Sequence, residues 1–459
     1  MMVDQLVKDI FHTQEVFFKT QKTKPLQFRL QSLKALKRAI LEMESEISEA
    51  LFNDLHKSGF EAYTTEIGFV LEELSYAIRH LKRWMKPDGV VTGITSFPAR
   101  SFVMNEPLGQ VLIISPWNYP FQLLIAPLIG AIAAGNTVML KPSEISHHTS
   151  AVLAKLVNQV FQPNHVALVE GDATVSQALL KLKFDHVFFT GSPRVGQIVM
   201  QEAAKQLIPV TLELGGKSPC IVNHDVDIKL TARRIAWGKL LNAGQTCIAP
   251  DYVLVHRDVQ EKLLEALAEA FRQAYGADPY TSIEYPRIIT EANTVRLKTL
   301  LEGCEIYSGG HVVEKERYVE PTILKNVKAE MEVMKSEIFG PILPVLTFSH
   351  TDEVINFINQ RPKPLALYCF SDDRTFLKKV INEVPSGGVT INDTLMHISN
   401  NQLPFGGVGN SGTGSYHGKY SFDVFSHKKS VMVRGTWLDV PLRYAPFGQK
   451  VKWIKMLMK

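Results

Sequence analysis

The sequence predicts an α/β protein built on doubly wound parallel sheets, and three observations carry that prediction. From Pro107 to Leu140 no residue is charged, yet Pro116, Pro120, Pro127, Gly130 and Gly135 cut the run into VLIIS (111–115), a turn PWNYP, an apolar helix near 121–134 and TVML (137–140). Strand, helix and strand in that order make a buried βαβ unit whose strands are apolar on both faces. The same punctuation argues against a membrane span, although the run is long enough for one. Downstream, helical stretches alternate with the short apolar runs HVALVEG, DHVFFTG and PVTLELG, which extends the doubly wound pattern. A second alternating series begins near Pro219 with PCIVN, passes through YVLVH, TILKNV and LPVLTF, and closes at GGVTIND, reading as a second α/β unit.

The remaining elements follow in order. Residues 26–85 are helical, with Leu30, Leu33, Leu36, Ile40 and Leu41 at three- and four-residue spacing. Residues 90–105 (VVTGITSFPARSFVM) turn β-like, and 400–435 is rich in glycine and serine before SVMVRG, an excursion out of the second unit. The tail Lys450–Lys459 sets four lysines among apolar residues with helical spacing. It is read as a docked or frayed terminus ahead of a peripheral contact with an anionic membrane.

Composition bounds the function. The 459 residues are 45% hydrophobic and 21% charged, which excludes wholesale disorder, collagen and coiled coil. A formal charge of +4 is too dilute to argue for nucleic acid and suits a small-molecule protein. Four cysteines, at 220, 247, 304 and 369, have no C-x-x-C spacing, so neither a metal site nor a disulfide framework is expected. The N-terminus MMVDQLVKDI carries Asp4 and Asp9 where an export signal needs an unbroken apolar run, so a cytoplasmic location is expected.

Three residue types point to chemistry. Cys247, in Asn242-Ala243-Gly244-Gln245-Thr246-Cys247, follows small polar residues where a backbone turn can lower a thiol pKa, although an inert buried cysteine is the alternative. Glu213 lies between two leucines at the end of an apparent strand, where desolvation raises a carboxyl toward a general base's range; pairing with Lys217 is the alternative. The following GGKS is not a phosphate loop, because Thr211 stands where that pattern needs its first glycine. Asn118, in the PWNYP turn at a strand's carboxyl end, offers an amide donor for an oxyanion, or satisfies its own turn. Two further segments follow strands and suit a nucleotide: Lys141-Pro142-Ser143-Glu144, and Thr190-Gly191-Ser192-Pro193-Arg194-Val195-Gly196 ahead of a helix over 195–206. The one full G-x-G-x-x-G, at Gly407–Gly412, has no strand directly before it and is read as a decoy.

Taken together, TLELGGKSPC (211–220), GQTCIAPD (244–251), PWNYP (116–120), KPSE (141–144), FTGSPRVG (189–196), EIFGP (337–341) and LPFGGVGNSGTG (403–414) resemble the aldehyde dehydrogenase superfamily. The ending SYHGKYSFDVFSHKKS (415–430) and the short N-terminus are similar to its class 3 branch, which acts on fatty and aromatic aldehydes. The resemblance implies a Rossmann-like NAD(P)-binding domain (1–89 and 106–212), an α/β catalytic domain (213–399), a bridging β-arm (90–105 and 415–435) that makes a homodimer, and a C-terminal tail (436–459). It implies that Cys247 attacks the aldehyde carbon, that Asn118 and the Cys247 N–H hold the oxyanion, and that Glu213 activates water to hydrolyse the thioester left after hydride transfer. Glu337 and Phe339 are implied at the nicotinamide, Lys141 and Glu144 at the adenosine ribose, and Gly191, Ser192 and the helix start at Val195 at the pyrophosphate. Phe69, Tyr119, Leu123, Trp237 and Phe405 take family positions on the substrate wall, which suits apolar medium-chain or aromatic aldehydes.

Pro193-Arg194 departs from the family pattern, and Arg194 would favour the 2′-phosphate that Glu144 opposes; NAD is ranked first and NADP second. Two rivals are weighed. An acylating enzyme passing the thioester to coenzyme A does not need Glu213 as a base. A cysteine esterase or a silent binding protein does not need Lys141, Glu144, Glu337 and Phe339.

Overall fold

The computed structural model describes residues 2–457. Its first sheet has six strands in the order Gly412–Thr413, Val210–Leu214, His186–Gly191, Gln110–Ile114, Thr137–Lys141, Val166–Leu168. The last five are parallel, and the chain reverses its direction of build-out between Gln110–Ile114 and His186–Gly191. That reversal opens a crevice at the strands' carboxyl ends, where such sheets bind ligands. Val111 and Ile113 pack into one core while Leu112 and Ile114 pack into another across the sheet, so the strand shows no alternation of polarity. The helix Gln122–Ala134 is buried along its whole length, which accounts for its uniformly apolar sequence. Gly130 admits the helix Lys419–Val424 against it, since a Cβ there would lie 2.6 Å from the Ser421 Cβ.

The second sheet runs Glu305–Ser308, Thr322–Lys325, Ile342–Phe348, Tyr252–His256, Pro219–Val222, Ala366–Phe370, Gly388–Ile391, parallel except at its first strand. A third sheet stands apart, with Ala99–Pro107 between Asp88–Val90 and Ser426–Arg434, all antiparallel.

The structure adds elements that the sequence pattern did not mark. Met2–Lys19 is a helix, with Val7 buried against the outer face of the first sheet. Ala366–Phe370 is a central strand of the second sheet. Within 415–435, residues 419–424 coil as a helix on the first unit and only Ser426 onward enters the third sheet. The helix expected over 195–206 starts at Pro193, whose fixed φ and missing N–H suit a first helical position. Among the described residues no helix is long and apolar enough to cross a membrane. The tail forms a helix over Lys450–Leu457 with Val451, Trp453 and Met456 exposed; Met458 and Lys459 lie outside the described residues.

Candidate active site

A cavity of about 260 Å³ lies between the two large sheets and gathers Asn118, Leu123, Gly191, Ser192, Glu213, Cys247, Glu337, Phe339 and Phe405 from seven segments of chain. A larger open groove of about 1340 Å³ runs along the helices Ile228–Leu240 and Gln260–Tyr275 and holds none of the candidate residues.

Cys247 follows a tight turn in which Asn242, Ala243 and Gly244 have φ of 54°, 50° and 74°. Two non-glycine residues in the left-handed region persist only where the surroundings hold them. Here they are held well. Gln245 is fully buried, donates to the Asn242 and Arg287 carbonyls at 3.0 Å each, and accepts the Ile289 N–H at 2.9 Å. Burial and the neighbouring Glu337 and Glu213 push the Cys247 thiol far up, so it rests protonated.

Glu213 ends the strand Val210–Leu214 and is buried, with no hydrogen-bond partner for either carboxylate oxygen. Desolvation holds its carboxyl well above the ordinary range. Lys217 is not its partner but pairs with Asp251. The Asn118 side chain donates to the Gln245 carbonyl at 3.0 Å, which ties the PWNYP turn to the cysteine's loop and leaves its second N–H unclaimed.

Glu337 faces the same cavity. Burial and the charge of Asp251 push its carboxyl up to about 8, against the opposing pull of the Gly216 N–H, Lys217 and Arg296. Its Oε1 has no partner, and Gly215 has to lack a side chain because a Cβ would sit 2.1 Å from Oε2. Phe339 has φ 52° and sets its ring edge-on to Trp117 with centroids 5.4 Å apart. Ser192 caps the helix Pro193–Ala204 by accepting the Val195 N–H at 3.4 Å, so that helix points its N-terminus at the cavity wall. A buried acceptor without a donor, a capped helix start and side-chain-free glycines together fit a dinucleotide. Lys141 and Glu144 lie beyond the cavity, with Lys141 buried, donating to the Pro142 carbonyl at 2.7 Å and pairing with Glu144 at 3.1 Å.

Three of the five expected substrate residues do not line this cavity. Tyr119 turns inward, its hydroxyl bonded to Thr246 at 2.6 Å and the Lys57 ammonium over its ring. Phe69 packs edge-on to His417, and Trp237 is 45% exposed. Leu123 and Phe405 line the cavity, joined by Trp117, Leu365 and Tyr416, which the sequence pattern did not single out. The backbone of Tyr416 pairs with Phe405, so the signal for it lay in a long-range bridge.

The Gly407–Gly412 stretch has no nucleotide role in this geometry. Gly412 pairs with Glu213 across the edge of the first sheet, and the Ser411 carbonyl accepts the Leu214 N–H at 3.1 Å. Its glycines answer to close packing, since a Cβ on Gly407 would lie 2.0 Å from the Ser411 carbonyl oxygen.

Two doubly wound sheets meeting over a cysteine, a desolvated carboxyl and an amide define an NAD(P)-linked enzyme of carbonyl chemistry. The comparisons agree: the aldehyde dehydrogenase family model matches residues 4–431. The 4,4'-diaponeurosporen-aldehyde dehydrogenase of Staphylococcus aureus is 49% identical over 99% of each chain. The mouse aldehyde dehydrogenase family 3 member A2 is 47% identical over 96% of this chain and 92% of its own. The solved substrate-bound state of Staphylococcus aureus AldH superposes with a TM-score of 0.97 at 49% identity, covering 99% of both chains. The chain belongs to the aldehyde dehydrogenase family and to its class 3-like branch. It oxidises aldehydes to carboxylic acids with NAD or NADP.

Proposed function

We propose that Cys247, Glu213 and Asn118 carry this oxidation on an apolar aldehyde. The observation behind the proposal is their meeting in one cavity where Glu213 is buried with neither carboxylate oxygen partnered. Glu213 takes the proton of the Cys247 thiol, and the thiolate forms a C–S bond to the aldehyde carbon. The carbonyl oxygen becomes an oxyanion held by the free Asn118 N–H and the Cys247 backbone N–H. NAD(P), when bound, supplies the hydride acceptor. The carbon is then a Cys247 thioester; Glu213 releases the thiol's proton to solvent, then draws a proton from water, the hydroxide adds, and the C–S bond breaks to release the carboxylic acid and the thiolate.

Glu337, Phe339, Gly191, Ser192 and the helix start at Val195 would hold the dinucleotide, with Lys141 and Glu144 at its adenosine ribose. Glu144, already a charge beside Lys141, favours a ribose hydroxyl over a 2′-phosphate and so NAD over NADP. Leu123, Phe405, Leu365 and Trp117 make the wall mainly hydrophobic and favour medium-chain aliphatic or aromatic aldehydes over charged ones. The third sheet leaves Val91, Ile94, Phe97 and Met432 exposed, which supports a homodimer formed through that arm. A cytoplasmic location accords with four free cysteines.

The test follows NADH or NADPH absorbance with hexanal, decanal, benzaldehyde and succinic semialdehyde, without coenzyme A. Turnover of the apolar aldehydes that disappears in Cys247→Ala is expected. Activity only after coenzyme A is added would overturn Glu213 as the hydrolytic base.

A further inference from the structure

The two halves of the oxyanion site belong to different parts of the chain, and one helix grips both. Residues Gly59–Ala62 and Gly68–Trp84 are α-helical and are joined by a π-helical turn, Tyr63–Ile67. In an α-helix Glu61 and Glu66, five residues apart, would point roughly 140° away from each other. The π turn between them holds more residues per turn and swings Glu66 back toward the side of Glu61. Glu66 is buried with Lys57, accepts the Phe121 and Gln122 N–H groups at 2.9 and 3.0 Å, and so fixes the start of the helix behind Asn118. Lys57 also donates to the Asn118 carbonyl at 3.1 Å. Glu61 reaches the other half, where its Oε1 accepts the Asn242 N–H at 2.6 Å. The Asn242 amide then donates to the Asn118 carbonyl at 2.8 Å and the Gln245 carbonyl at 3.1 Å.

We propose that Glu61 is a positioning residue for the oxidation: through the Asn242 N–H it holds the left-handed turn that carries Cys247 in register with the Asn118 amide. The inference rests on the assignment of Cys247 and Asn118 above. Glu61 touches no reacting atom. Its carboxyl is the acceptor for a buried backbone N–H in a strained turn, and without it the loop loses the bond that sets its distance from the Asn118 side. A displacement of about 1 Å at a reacting centre costs up to about 100-fold in rate.

The experiment compares Glu61→Ala, Glu61→Gln and Glu61→Asp in the full chain, with melting temperature recorded for each. Glu61→Ala is expected to lower kcat about 10- to 100-fold while the dissociation constant of the dinucleotide, read by fluorescence, stays within about twofold. Glu61→Gln keeps a carbonyl oxygen for the Asn242 N–H and is expected to recover kcat to within about threefold. Should Glu61→Ala fail to fold, Glu61→Asp, one methylene too short to reach Asn242, is expected to show the same loss of kcat. A folded Glu61→Ala with wild-type kcat, or a Glu61→Gln as slow as Glu61→Ala, overturns the proposal, and so does a Glu61→Asp at wild-type kcat. Cys247→Ala, run alongside, separates the two assignments. Turnover persisting there removes the nucleophile and this role with it, whereas a silent Cys247→Ala beside a fully active Glu61→Ala removes only Glu61.

Discussion

Glu61 and Glu213 are buried and the half-buried Glu337 has an enclosed carboxyl, and desolvation raises all three carboxyls above the ordinary 4.5, to about 7 for Glu61 and about 8 for Glu337. The folded chain therefore holds protons that the unfolded chain has released once the pH passes 4.5. Stability from these groups falls as pH rises above that point, the Glu61 and Glu337 contributions levelling off above about 8. The melting temperature is expected to drop between pH 5 and 8, and Glu337→Gln is expected to flatten the slope; a profile equally steep in the variant would refute the account. The same burial bears on rate. The proposed base Glu213 can act only when deprotonated, and its raised carboxyl pKa means that kcat is expected to climb with pH above the ordinary carboxylate range. In Glu213→Gln both the thiol and the hydrolytic water lose their proposed base, so kcat is expected to fall at least about 100-fold with no burst of reduced dinucleotide on rapid mixing with excess aldehyde; a full burst would show that another group deprotonates Cys247. Glu213 was legible in the sequence because a carboxylate between two leucines at a strand end has few ways to be solvated. Glu61 was not, since its partner Asn242 lies 181 residues away.

Elements reveal which sequence signals travel and which do not. The helix Gln122–Ala134 and the strands beside it could be read from apolar runs broken by proline and glycine, because burial on all sides removes any need for polar residues. Ala366–Phe370 went unmarked for the same reason: a five-residue run buried on both faces has no alternation to set it apart from a buried helical turn. The π turn at Tyr63–Ile67 leaves no local mark either, since the extra residue shows only in the bonding. The Gly407–Gly412 segment carried a strong local signal with the wrong meaning. Its glycines allow backbone to pack on backbone at the edge of the strand bearing Glu213. Gly407→Ala is expected to cost at least about 2 kcal/mol in urea unfolding, with kcat falling as the Gly412–Glu213 pairing loosens. A variant as stable and as fast as the parent would show that the loop has room to give.

At the scale of the molecule, the third sheet carries little core of its own. Met432 and Val433 are 56% and 43% exposed on the strand Ser426–Arg434, beside Val91, Ile94 and Phe97. Light scattering is expected to report twice the chain's 51.5 kDa for the parent and a single chain for Met432→Asp. An unchanged mass in the variant would place the contact elsewhere. The order of the first sheet has a further consequence, for synthesis. The strand bearing Glu213 is an edge until Gly412–Thr413 pairs with it, and these two residues leave the ribosome only after the whole of the second sheet. A nascent chain can therefore already hold Cys247, Asn118 and a formed dinucleotide crevice while its base strand is still unflanked. Dehydrogenase activity is thus expected only after residue 413 has emerged, and a product truncated before residue 412 is expected to expose an unpaired strand edge and to be inactive.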